Sequence, residues 1–196
     1  SYRTVIFRRW PTTGVPLCFN GEREYLALVD TLVRAGAIED ATRLYWDVRP
    51  SARFPTLEFR IADVCLTVDE TVTIAGLISG LVDTARRAAV SGAALADPRP
   101  ELLEAAVWRA ARYGLDEQLI DVNAGQLRPA AVVVEGFVSL VRPALEDAGS
   151  WERVKAGVDR LLREGNGAER QRAVLGQTGD LARVVDYIAA QTAAGL

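Results

Sequence analysis

Two short runs of strict alternation, either side of a proline-bounded connection, limit what this chain can fold into. Leu44, Trp46 and Val48 alternate with Tyr45, Asp47 and Arg49 before Pro50; after Pro55, Leu57, Phe59 and Ile61 alternate with Glu58 and Arg60. A period of two marks strands with two chemically different faces. Paired as an antiparallel hairpin, they place each apolar trio on one face and Asp47, Arg49, Glu58 and Arg60 on the other. Almost everything after Thr67 has helical spacing instead, so the chain reads as α+β with little sheet and much helix.

The remaining punctuation supports that division. "YRTVIFRRW" is β-branched and aromatic and reads as an outlying strand that ends at the turn signal "PTTG". Tyr25, Leu28, Val29, Leu32 and Val33 predict a helix stopped by Gly36, and Thr67 with Glu70 is a capping box opening a long amphipathic helix. Further helices are expected from Pro100 to Gly114, from Pro129 to about Ala148, after Ser150, and around Asp180 to Gln191. "LIDVNAGQLRP" is a polar turn or small hairpin, and "GNGAERQR" a break between helices. "AAVVVEGFVSLV" reads as a buried helix, since Glu135 and its length exclude a membrane span. A hairpin and one outlying strand are too little sheet to stand alone, and Ser1 opens directly on a β-like run in a chain without methionine. The expectation is a piece of a longer protein, with its other strands elsewhere.

Composition narrows the chemistry. The chain has no histidine, which removes histidine acid–base chemistry, histidine-activated serine or cysteine nucleophiles and histidine metal ligation; any metal would take oxygen ligands, as magnesium or manganese does. Lys155 is its one lysine, so phosphate contacts would be made by arginine. A net charge of −3 and the small pairs Arg8-Arg9 and Arg86-Arg87 give no footprint for nucleic acid or an acidic membrane surface. Two cysteines without CxxC spacing fit a reducing cytoplasm, with Cys65 an inert buried thiol. No phosphate loop or dinucleotide fingerprint is present.

The charged strand face therefore carries the chemistry, and two readings of it stay open on pattern alone. Asp47, Arg49, Glu58 and Arg60 can be cross-strand ion pairs on a solvated sheet. They can equally be a carboxylate for magnesium beside an arginine for phosphate, the pairing that phosphoryl transfer requires. Arg112 fits the end of its helix, Arg170 and Arg172 a solvated helical face, and Trp10 and Trp46 sheet-packing aromatics.

"YWDVRPSARFPTLEFRIADVCLTVDETVTIAGLISGLV" resembles the signature W-D-x-R-P-S … T-x-E-x-R-x-x-D of the carboxylate–amine ligase family, also called glutamate–cysteine ligase type 2. "FRRWPTTGVP", "AARYGL" and "GAERQR" agree with it, and the likeness covers the C-terminal half of the family. The resemblance implies a glutamine-synthetase-like antiparallel sheet packed with helices. Residues 1–92 would contribute site strands and residues 93–196 a mainly helical part of one catalytic domain. It implies an ATP-dependent cytoplasmic ligase that phosphorylates a carboxylate, typically the γ-carboxylate of glutamate, which an amine then attacks. Glu58 would ligate Mg2+ (or Mn2+), Arg60 would contact ATP phosphates and act in catalysis with Arg49, and Arg112 would anchor substrate or nucleotide. Leu57, Phe59 and Ile61 would hold the strand against the helices. Partners would be the small-molecule acid and amine and the family's N-terminal half, on the same or a separate chain. Neither nucleic acid nor membrane is expected, and homo-oligomerisation is left open. A non-catalytic subunit that needs a partner for the missing half is the alternative.

Overall fold

The computed structural model describes residues 2–93 and 98–194. They are α+β: eight α-helices and two separate two-stranded antiparallel sheets among the described residues. The chain divides into two compact units. One takes in residues 2–63 and 98–112, the other residues 64–93 and 113–194.

The first unit begins with α1, Tyr2–Phe7, where the sequence suggested a strand. The backbone closes locally instead: Arg8 N–H donates to the Thr4 carbonyl, Arg9 to Ile6 and Trp10 to Phe7, at 3.0–3.1 Å. An extended segment would have needed a neighbouring strand for those groups. α2, Glu22–Arg34, is followed by Gly36 at φ 69°, as its stop signal predicted. A 3-10 turn, Ala41–Arg43, leads into β1, Val48–Pro50, so only the end of the expected first strand is ladder. β2, Leu57–Phe59, pairs with it in the predicted sense, with Val48 opposite Phe59, Arg49 opposite Glu58 and Pro50 opposite Leu57. α4, Pro100–Tyr113, completes the unit and ends at Gly114, φ 63°.

The second unit is built on α3, Val68–Ser91, α5, Ala130–Asp147, and α6, Trp151–Glu164. Val141, Leu145 and Val154 are its buried centre, with Leu77, Leu81, Phe137 and Trp151 packed around them. Glycines let the helices approach: an added Cβ at Gly157 would lie 2.0 Å from Thr73 Oγ1, and one at Gly76 2.4 Å from Val154 Cγ2. β3, Gln118–Asp121, and β4, Gln126–Pro129, form the small hairpin suspected before α5. α5 is not buried all round. Val138, Val141, Ala144 and Leu145 face the core while Val132 and Leu140 are exposed.

"GNGAERQR" holds the expected break at Gly165 and Asn166, but from Gly167 on it is the start of α7, Gly167–Thr178, which α8, Leu181–Ala193, follows. Asn166 caps it: its side chain accepts from the Ala168 and Glu169 amides, and Glu169 Oε2 accepts from the Asn166 amide at 2.9 Å. The reciprocal bonds of a capping box outweigh the flanking glycines. Arg172 is exposed, as expected. Arg170 is not on a solvated face, because its guanidinium pairs with buried Glu70.

Candidate functional site

On the hairpin face carrying Asp47, Arg49, Glu58 and Arg60, Arg49 is buried and the other three are partly buried. Arg49 is 6% exposed, while Leu57 and Ile61 on the opposite face are 49% and 55% exposed. This departs in part from the expected orientation, in which Leu57, Phe59 and Ile61 hold the strand against helices: Phe59 is partly buried, but Leu57 and Ile61 are exposed. The cause is the 3-10 turn. The Thr42 and Leu44 carbonyls have no backbone partner there, and Arg49 Nη1 supplies one, reaching both at 2.7 Å and also the Ala41 carbonyl, which already accepts from the Leu44 amide, at 3.0 Å. Of the other face, Trp46 is covered, by Phe19 and Tyr25 at ring-centroid distances of 5.8 and 6.3 Å.

Arg49 uses its remaining nitrogens on Glu58. Nε and Nη2 donate to Oε2 at 3.0 and 2.9 Å. These bonds are the main reason the Glu58 carboxyl lies below its ordinary range, with Ser51 and the charge of Arg60 adding to them. Glu58 is thus held ionised at neutral pH in one orientation. Arg49 has all three guanidinium nitrogens committed within the protein.

Arg60 differs. Its backbone N–H donates to the Asp47 carbonyl at 2.8 Å, which continues the β1–β2 register and sets Arg60 opposite Asp47. Its guanidinium carbon stands 5.9 Å from the Tyr45 ring centre, and its Nη1 is buried without a hydrogen-bond partner. Among the described residues, Arg60 is joined to no carboxylate. A buried donor left unmet is uncommon in folded proteins and suits a ligand acceptor.

Asp47 completes the face. Burial raises its pKa, opposed by the charges of Arg8 and Arg3. Arg8 Nη2 approaches Asp47 Oδ2 to 3.5 Å but makes no hydrogen bond. The sequence offered Arg8 only as half of a small basic pair. The signal that could have singled it out is the following "PTTG", whose glycine gives a guanidinium room to pass. Arg112 lies in the last turn of α4, exposed, in the same unit as the hairpin.

A divalent metal finds a partial donor set. Among the described residues no three potential ligands gather into one cluster. Glu58 is a single fixed carboxylate, which suits magnesium's habit of taking one or two carboxylates with water and phosphate oxygens.

No helix among the described residues is long and apolar enough to cross a membrane. Comparison with known proteins gives one consistent result. Residues 1–187 match the family described as Glutamate-cysteine ligase family 2. The chain is 45% identical over 192 residues to a Frankia alni protein named "Putative glutamate--cysteine ligase 2-2", covering 98% of this chain and 50% of that protein. It is 44% identical over 193 residues to "Putative glutamate--cysteine ligase 2" of Salinispora arenicola, with 98% and 51% covered. A Rhodococcus jostii relative, "Putative glutamate--cysteine ligase 2-3", is 42% identical and only 24% covered. The chain therefore spans about half the length of the first of these curated relatives and less of the longest. By the extent of these matches, the chain belongs to glutamate–cysteine ligase family 2.

Proposed function

We propose that this chain carries part of the active site of a cytoplasmic, ATP-dependent ligase, in which a carboxylate such as the γ-carboxylate of glutamate is phosphorylated and then attacked by an amine. The observation that carries the reading is the buried, unpartnered Nη1 of Arg60, on the same strand face as a carboxylate held ionised. Family membership supplies the reaction class.

In this reading Arg60 holds a phosphate oxygen of ATP and stabilises the charge that develops as the phosphoryl group moves to the carboxylate. Glu58 would hold magnesium, which when bound neutralises phosphate charge. Arg49 acts one step back, fixing the Glu58 carboxylate through two hydrogen bonds to Oε2. Arg112 is a candidate anchor for the substrate or nucleotide. The sheet on which this happens would be glutamine-synthetase-like, its other strands coming from the half of the relatives' length that this chain does not span. Two strands of three residues are marginal alone, and among the described residues no third strand joins them.

The test is ADP release by the full-length protein. Arg60→Ala and Glu58→Gln are expected to lower it by about 10²–10³, with the circular dichroism spectrum unchanged. Unaltered turnover in either variant would remove that residue from the site.

A further inference from the structure

The segment between α1 and α2 delivers a second guanidinium to this face. Thr12, a β-branched residue, sits at φ 65°, a conformation such residues rarely adopt. Its Oγ1 donates to the Arg43 carbonyl at 3.1 Å and accepts from the Tyr45 amide at 3.2 Å. Two residues on, the Gly14 carbonyl accepts from the Asp47 amide at 2.8 Å. The segment is thereby stitched to the chain entering β1. Gly14 is buried at φ 117°, and a Cβ there would stand 2.9 Å from Arg8 Nη1. The positive φ calls for glycine at this position, and the missing Cβ leaves room for the Arg8 guanidinium.

The path ends at Asp47. Arg8 Nη2 is buried, lies 3.5 Å from Asp47 Oδ2 and has no hydrogen bond. Asp47 is also the ladder neighbour of Arg60, whose Nη1 is in the same state. Two buried guanidinium nitrogens without acceptors thus belong to side chains brought to one strand position, Arg8 by its approach to the Asp47 carboxylate and Arg60 by its place across the ladder from Asp47. Strain at Thr12, a glycine required at position 14 and two unmet donors are what a preformed oxyanion site displays.

We propose that Arg8 is a second anion-contacting residue of this site, and that Asp47 is a built-in counter-charge that the ligand's phosphate oxygens displace from Arg8. The proposal rests on the reading of Arg60 as a phosphate contact. Asp47 offsets part of the Arg8 charge while no ligand is bound, and it competes with the ligand for Arg8.

The experiment is calorimetric binding of tripolyphosphate, and of glutamate in parallel, to the full-length protein. Arg8→Ala is expected to weaken tripolyphosphate binding about tenfold, leaving glutamate binding unchanged. Asp47→Asn is expected to tighten tripolyphosphate several-fold, and to lose that effect when combined with Arg8→Ala. Asp47→Asn removes no donor, so it decides the matter even if Arg8→Ala fails to fold. Weakened binding in Arg60→Ala with no change in Arg8→Ala would overturn the Arg8 assignment and leave the Arg60 reading standing. Unchanged binding in Arg60→Ala would overturn the Arg60 reading itself. An Asp47→Asn protein that binds no more tightly would overturn the counter-charge, and a response confined to glutamate would overturn the phosphate assignment.

Discussion

Arg49 stands directly across the β1–β2 ladder from Glu58 and gives two hydrogen bonds, at 3.0 and 2.9 Å, to one of its carboxylate oxygens. The same guanidinium caps three carbonyls of the preceding turn. One side chain therefore orients a candidate metal-ligating carboxylate and ties it to the backbone that sets the hairpin's position. The cross-strand ion pair that pattern alone could read as a salt-bridged surface is the same contact that would orient Glu58 in the proposed site.

Removing Arg49 should consequently cost stability as well as activity. Arg49→Ala leaves the Thr42 and Leu44 carbonyls unmet and frees the Glu58 carboxylate, an expected loss of about 1–3 kcal/mol by urea unfolding. Arg49→Lys keeps the charge but cannot make the planar two-bond contact with Glu58, so it should recover part of that stability. Arg60→Ala, which breaks no ion pair among the described residues, should unfold close to wild type. Equal losses at both positions would contradict the division of roles.

A second buried pair should respond differently. Glu70 is 5% exposed; its Oε2 accepts from the Leu66 amide at 3.0 Å and its Oε1 meets Arg170 Nη2. Arg170→Met strands a buried carboxylate, and about 3–5 kcal/mol of stability should be lost. Adding Glu70→Gln to it neutralises that carboxylate and should restore part of the loss. Additive losses in the double variant, by denaturant titration, would show that the two side chains do not act as a pair.

These two pairs mark what the sequence could and could not reveal. The hairpin register and the common face of Asp47, Arg49, Glu58 and Arg60 follow from a period of two. Helix limits followed from Thr67, Gly36 and Gly114. What alternation does not encode is which residues turn inward: Arg49 is buried here because orphan carbonyls of the preceding turn need its donors. Arg170 was misplaced for a related reason. Its partner lies 100 positions away, and no local pattern reports so distant a carboxylate. α1 failed because strand propensity presupposes a neighbouring strand. α7 was legible in principle, since Asn166 and Glu169 have capping-box spacing, but the glycines around them read more loudly.

Close approach between helices gives a paired prediction in the second unit. Gly157→Ala drives a methyl to 2.0 Å from Thr73 Oγ1, and Thr73 is buried and β-branched, with its hydroxyl bonded to the Asp69 carbonyl at 2.8 Å. Little can give way, and a loss of about 1–3 kcal/mol is expected. Gly136 lies in mid-α5, exposed, with nothing within 4 Å of an added Cβ. Gly136→Ala should gain roughly 0.5–1 kcal/mol through helix propensity. Thermal melts of the two variants should therefore move in opposite directions.

Asp47 gives the pH prediction. Burial raises its folded-state pKa, and Arg8 and Arg3 only partly oppose the shift. A carboxyl whose pKa is raised on folding binds its proton more tightly in the folded state. Its contribution to stability is then fully present below the ordinary aspartate value of about 3.9, and it is lost as pH rises through the folded value. Asparagine cannot ionise, so Asp47→Asn should match wild type most closely in acid and become relatively more stable towards neutrality. Glu58 titrates in the opposite sense, its depressed pKa adding stability above its ordinary range, but it is common to both proteins and cancels in their difference. Unfolding free energies of the two proteins, measured from acid to neutral pH, should diverge as pH rises. A difference that stays constant would mean that Arg8 and Arg3 compensate the burial of Asp47 in full, and a wild type that gains stability over the variant as pH rises would mean that they more than compensate it.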